Sequence, residues 1–112
     1  MEIFFRSRKL QKVCEDPKAM LKELGRDRAK KLRQRMVELK AAEVLADISH
    51  LPPPRLHELT GQQKGVFSVD VAHPYRLLFI QADDPVPIKD DGGIDLNAVE
   101  SIEIVGIVDT HG

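Results

Sequence analysis

The chain has no tryptophan, one tyrosine, four phenylalanines and a single cysteine among 112 residues. With aromatic residues at 4%, aliphatic side chains must supply most of the burial, and stacking on aromatic rings is a poor basis for binding. The lone Cys14 excludes an intramolecular disulfide and reads as a small packing residue. No apolar run approaches the roughly 18 residues of a membrane span, and the opening MEIFFRSRKL has neither the apolar core nor the cleavage site of a signal peptide. A cytoplasmic protein with no membrane partner is expected. The histidines His50, His57, His73 and His111 lack an H-x-x-x-H pair and lie far from Cys14, so neither a metal nor any other cofactor is expected. No G-x-S-x-G occurs, and GQQKG is neither a P-loop nor a dinucleotide fingerprint.

What is present is charge, unevenly placed. The formal net charge is -1, yet residues Met1 to Lys64 hold 15 Lys and Arg against 9 Asp and Glu, whereas Gly65 to Gly112 hold 2 against 9. A basic half suits RNA phosphates or an acidic protein, although exposed helices also use Lys and Arg simply for solubility.

The length suits one domain, residues 1–112, with one core. MEIFF reads as a short strand. Ser7 is placed to cap a helix over RKLQKVCE, and Asp16 followed by Pro17 pairs an N-cap with the first helical position of the next helix, which Gly25 ends. From Arg26 onward, Ala29, Leu32, Met36 and Leu39 recur every three or four residues and define a buried stripe. Arg28, Lys30, Lys31, Arg33, Arg35 and Lys40 are expected to form a positive outer surface. A short helical turn within Ala42 to Ile48 leads to LPPPRL, where three prolines favour an extended linker.

Beyond it the period becomes two. In GVFSVDV, Phe67, Val69 and Val71 share one face, and Ser68 and Asp70 the other. AHP marks a turn into YRLLFIQA, giving an antiparallel hairpin. Here Tyr75, Leu77 and Phe79 oppose Arg76, Leu78 and Ile80. DDPVPIKDDGGIDLNAVE reads as a long acidic excursion before a last strand, SIEIVGIVDTH. The expected fold is α+β: N-terminal helices on one face of a small, mainly antiparallel sheet, with Arg76 on its open face.

The run RLHELTGQQKGVFSVDVAHPYRLLF and the terminal VDTHG resemble the HigB-like branch of the RelE/ParE toxin superfamily. That branch shows R-L-H-x-L-x-G, a basic residue before glycine, a serine-bearing strand, a strand with Tyr or Trp before Arg, and a terminal D-Y-H. The resemblance implies a RelE-like microbial RNase-type fold, cleavage of messenger RNA on the ribosome, and a cognate helix-turn-helix antitoxin (HigA-like) through which alone operator DNA is reached. By motif position it assigns catalytic roles to His57, Lys64, Arg76, His111 and Asp109, of which Asp109 reads as orienting a neighbour or ending the strand rather than as a base. RNA contacts fall to Arg55, Lys64 and Arg76, joined by Lys31 and Arg35 of the basic helix. Thr110 stands where the family has Tyr, so a group able to stack on a base or assist proton transfer is missing.

Metal-independent RNA cleavage uses the substrate's own 2'-hydroxyl as nucleophile, leaving the protein to remove its proton, neutralise the phosphate and protonate the departing 5'-oxygen. Arg76 suits the second task because its planar fork stays charged and donates two hydrogen bonds. His57 and His111, with reference pKa near ~6.5, suit the proton transfers, in an order that the sequence leaves open. Structural roles stand beside these: Arg76 paired with Asp70 across the hairpin, His57 bonded within its turn, Lys64 solvated. Two other functions are compatible with the scaffold: a ParE-like poison of DNA gyrase, which needs no proton-transfer groups, and a weakened toxin that serves as an antitoxin-binding corepressor.

Overall fold

The computed structural model describes residues 1–110. Strand β1 (Glu2–Phe5) is followed by helices α1 (Arg8–Glu15), α2 (Pro17–Leu24) and α3 (Arg26–Ala41) and a 3-10 turn at Leu45–Asp47. The two-residue strand β2 (His57–Glu58) and a second 3-10 turn at Gly61–Gln63 precede β3 (Val66–Asp70), β4 (Tyr75–Gln81) and β5 (Ser101–Asp109). The caps follow side-chain chemistry. Ser7 accepts from the Leu10 amide at 3.1 Å and Asp16 from the Lys18 amide at 2.9 Å, each satisfying a donor that a first turn leaves unpaired. Gly25 separates α2 from α3 at φ 80, a conformation that costs residues with a Cβ.

The five strands lie in the order β1-β5-β4-β3-β2. β1 joins β5 in parallel and all other pairs are antiparallel. Alternation sends Phe67, Val69, Leu77, Phe79, Ile102 and Ile104 to the face that the helices cover, where each is essentially inaccessible. Phe67 and Phe79 are cross-strand partners with ring centroids 6.0 Å apart. Leu32, Met36 and Leu39 of α3 close over this layer, and the Arg28 guanidinium lies 4.1 Å from the centroid of the Tyr75 ring, a cation–π contact that joins helix to sheet. The mainly antiparallel sheet with helices on one side is the expected α+β arrangement.

Three expectations need correction. Pro52 to Pro54 do not run extended; they form a turn closed by the Arg55 amide donating to the Leu51 carbonyl at 3.1 Å. The acidic excursion is ordered: Ile88 and Ile94 form an antiparallel bridge, and Val99 is fully buried with Ile94 and Leu96 packed on the core. The Ala46 and Leu45 amides donate to the Leu96 and Val99 carbonyls, both at 3.0 Å, so the excursion also holds the 3-10 turn after α3. Finally, Arg35 does not belong to the positive outer surface. It is 2% exposed, and its Nε donates to the Asp70 carbonyl at 2.8 Å while Nη1 reaches both Glu38 carboxylate oxygens at 3.1 and 3.2 Å. It lies three residues after Leu32 and four before Leu39, hence on the buried stripe, and an RNA contact from it is excluded by burial.

Two measurements follow. Arg35→Ala should destabilise the fold by about 3 kcal/mol, since it opens a cavity and strands the Asp70 carbonyl and Glu38; a shifted denaturant midpoint checks this. Burial pushes the Cys14 thiol from 9.0 up to about 12, with Glu15 adding to the rise and Lys40 opposing it. Thiol labelling of the native chain at pH 8 should therefore be on the order of a thousandfold slower than in urea. Because the folded value is the raised one, the thiol's contribution to stability is complete below pH 9 and disappears as pH rises toward 12.

Candidate active site

The face of the sheet turned away from the helices carries the other half of each strand's alternation. Two rows of cross-strand partners define it: His57, Ser68, Leu78 and Gly106, then Asp70, Arg76 and Val108. Partners directly opposite in antiparallel strands share a face, with Cβ atoms roughly 5 Å apart. His57 and Arg76 therefore flank Ser68 from opposite sides on one surface. Their backbones are two strand spacings apart, about 10 Å across the sheet, and the Arg76 side chain reaches back over Ser68 toward the His57 side.

Arg76 is held firmly. Its Nη1 donates to Ser68 Oγ at 2.9 Å and its Nε lies 3.2 Å from Asp70 Oδ1, and its side chain is 16% exposed. Arg55 reaches the same carboxylate as a fork, Nε to Oδ2 at 2.8 Å and Nη2 to Oδ1 at 3.1 Å. This pairing holds the Arg55 guanidinium above its ordinary value, through the hydrogen bond first and the charge second. The Asp70 amide donates to the Pro54 carbonyl at 2.8 Å, fixing the proline turn beside β3. Arg55 itself has φ 51, a left-handed conformation that is uncommon for a residue with a Cβ and is found disproportionately at functional positions. One carboxylate thus orders two guanidinium groups, and the cluster keeps an excess of one positive charge for an incoming anion. The planar forks suit phosphate oxygens, and His57 stands exposed beside them.

The other expected residues lie elsewhere. Lys64 is exposed at the turn between β2 and β3, two residues before β3 begins and four before Ser68. It is near enough to Asp91 to help hold that carboxyl below its ordinary value, after the Gly93 amide and Lys89. Asp109 pairs in register with Tyr75, so alternation assigns it to the side opposite Arg76. Lys31 is exposed on α3, in the layer across the sheet. His111 lies outside the described residues. Thr110 is turned to a structural task, with both its amide and its Oγ1 donating to the Pro74 carbonyl, at 3.0 and 2.8 Å. Among the described residues no group of three His, Cys, Asp or Glu is placed to hold a metal ion.

Sequence reasoning noticed Asp70 only as a possible partner of Arg76 and passed over Ser68 as an acceptor. Placing Ser68 and Asp70 on the same face as Arg76 was the available signal. The link from Asp70 to Arg55, 15 positions away, required the turn to be known.

Comparison with solved structures identifies the class of fold. A YoeB/ParE toxin from Agrobacterium tumefaciens superposes with a TM-score of 0.58 at 8% identity, covering 97% of this chain and 98% of that one. The YoeB dimer from Staphylococcus aureus gives 0.52 at 16% identity, covering 95% and 92%. The architecture is that of RelE-like toxins. A family model, described as the RelE-like toxin of the type II toxin-antitoxin system HigB, matches residues 3–88. The chain belongs to the HigB-like toxin family, whose type II character implies a cognate antitoxin. A search of curated proteins returned no match.

Asp70→Ala should loosen Arg76 and Arg55 together. The pairs are partly exposed, so the expected cost is about 1 kcal/mol rather than the several of a buried pair. Chemical denaturation measures the loss, and the side-chain Nε resonances of both arginines should broaden in the variant while those of other arginines stay put.

Proposed function

We propose that this chain is the toxin of a type II pair and acts as a ribosome-dependent, metal-independent endoribonuclease on messenger RNA. The observation that carries this reading is the grouping of Arg76, Arg55 and His57 around Ser68 and Asp70 on one open sheet face. Membership in a toxin family and its RelE-like fold support it; such toxins are generally endoribonucleases.

In the proposed reaction a scissile phosphate sits against the two guanidinium groups. A base takes the proton of the adjacent 2'-hydroxyl, whose oxygen attacks phosphorus. The bond from phosphorus to the 5'-oxygen breaks, that oxygen receives a proton from an acid, and a 2',3'-cyclic phosphate remains. Arg76 neutralises charge as it accumulates on the phosphoryl oxygens. His57 takes one proton-transfer role and His111 is the candidate for the other. Lys64 is proposed as a more distant phosphate contact, whereas Lys31 and Asp109, on the other side of the sheet, take no part in this reading. The partners in this reading are the ribosome, its message, and a helix-turn-helix antitoxin that alone contacts operator DNA.

A second reading has one observation in its favour. Thr110 lacks a ring, and its hydroxyl is engaged with Pro74; a weakened nuclease retained as an antitoxin-binding corepressor would tolerate both.

Induced expression should arrest growth and produce cuts within translated messages, mapped by primer extension. Arg76→Ala should reduce cleavage about a hundredfold, roughly 3 kcal/mol in the transition state, with the fold retained by circular dichroism. Growth arrest without message cleavage, or cleavage undiminished in Arg76→Ala, would refute the nuclease reading. For the corepressor reading, Thr110→Tyr should raise cleavage well above that of the parent.

A further inference from the structure

The helical layer carries a second surface, on the side of the sheet opposite Arg76. Helices α2 and α3, with the last residues of α1, line an open cleft of about 410 Å³. Its more buried lining is apolar: Cys14, Met20, Ala29 and Met36. Two large apolar side chains stand unburied on its walls, Leu21 at 54% and Val37 at 61% exposure. On α3 the remaining wall positions are Lys30, Arg33 and Lys40. With Val37 these fall three, four and three residues apart, so they form one stripe along the helix. From Lys30 to Lys40 the stripe runs about 15 Å, the length of a three-turn helix laid alongside. The one acidic residue lining the cleft, Glu15, stands 3.9 Å from Lys40, leaving Lys30 and Arg33 without an opposing carboxylate on the cleft wall.

We propose that this cleft is the docking groove for an acidic amphipathic helix of the antitoxin. The inference rests on the toxin reading and identifies which surface its partner uses. Apolar side chains of such a helix, spaced three or four apart, would cover Leu21 and Val37, and carboxylates on its flank would meet Lys30, Arg33 and Lys40. RNA fits the groove less well: an apolar floor offers nothing to a phosphodiester backbone, and no aromatic ring lines it for a base.

The test is titration calorimetry of the full chain with the product of the adjacent reading frame, as candidate antitoxin, at 0.1 and 0.5 M salt. Val37→Glu and Leu21→Glu should each weaken binding at least tenfold. Arg33→Glu should weaken it about tenfold at low salt, with the difference shrinking at high salt. All three positions are exposed, so thermal unfolding should stay near that of the parent and report that the chain is folded. Undiminished affinity in all three variants would overturn the groove while leaving the toxin reading intact. A neighbour that neither binds nor neutralises the parent chain would overturn both. Two further results would also remove the antitoxin from this groove. One is a parent chain that is dimeric and becomes monomeric on Val37→Glu. The other is a loss of RNA affinity in Arg33→Glu with antitoxin affinity unchanged.

Discussion

The Asp70 peptide unit and carboxylate are the point on which the candidate site depends. The side chain orders Arg55 and Arg76, the amide fixes the proline turn through Pro54, and the carbonyl accepts from buried Arg35. Guanidinium groups from α3, from the turn and from β4 therefore converge on one residue at the end of β3. Left alone, neighbouring cations on a small sheet would repel one another and move apart. A carboxylate among them offsets part of that repulsion and limits the motion of two long side chains, so less order has to be created when a phosphate arrives.

The sheet also partitions the molecule electrically and chemically. On one side are the anion-seeking forks and His57, with exposed apolar surface at Phe4 and Val108. On the other is the helical layer with its lysines, arginines and apolar cleft. The basic N-terminal half is thus not a single footprint. Arg55 and His57 cross to the open face, Arg35 is consumed inside, and Lys31 stays on the helices. A summed charge for that half of the chain conceals three separate uses.

Much of the fold was legible because it is written in local chemistry. Ser7 and the Asp16–Pro17 pair marked helix starts, and alternation through Phe67 to Val71 and Tyr75 to Ile80 assigned faces. The failures share a cause in contacts distant along the chain. Arg35 sits on the apolar period of α3, which should have flagged it, yet its main partner is 35 residues away. The acidic excursion looked like solvated loop because its few apolar residues, Ile94, Leu96 and Val99, do not form a periodic set; they matter because they cover the end of a core whose shape was unknown. Of the site, the Arg76 face and the Asp70 pairing were readable, while Arg55's fork and the separation of Lys64 and Asp109 from it were not.

The turn at Pro52–Pro54 is best regarded as a gauge block. It is closed on Leu51 through the Arg55 amide and tied to β3 through the Pro54 carbonyl, so the length of the turn sets where the Arg55 fork meets Asp70. Adding or removing a single residue there would shift both the Arg55 fork on its carboxylate and the Pro54 carbonyl on the end of β3. In this protein, loop length is itself a parameter of the site's alignment.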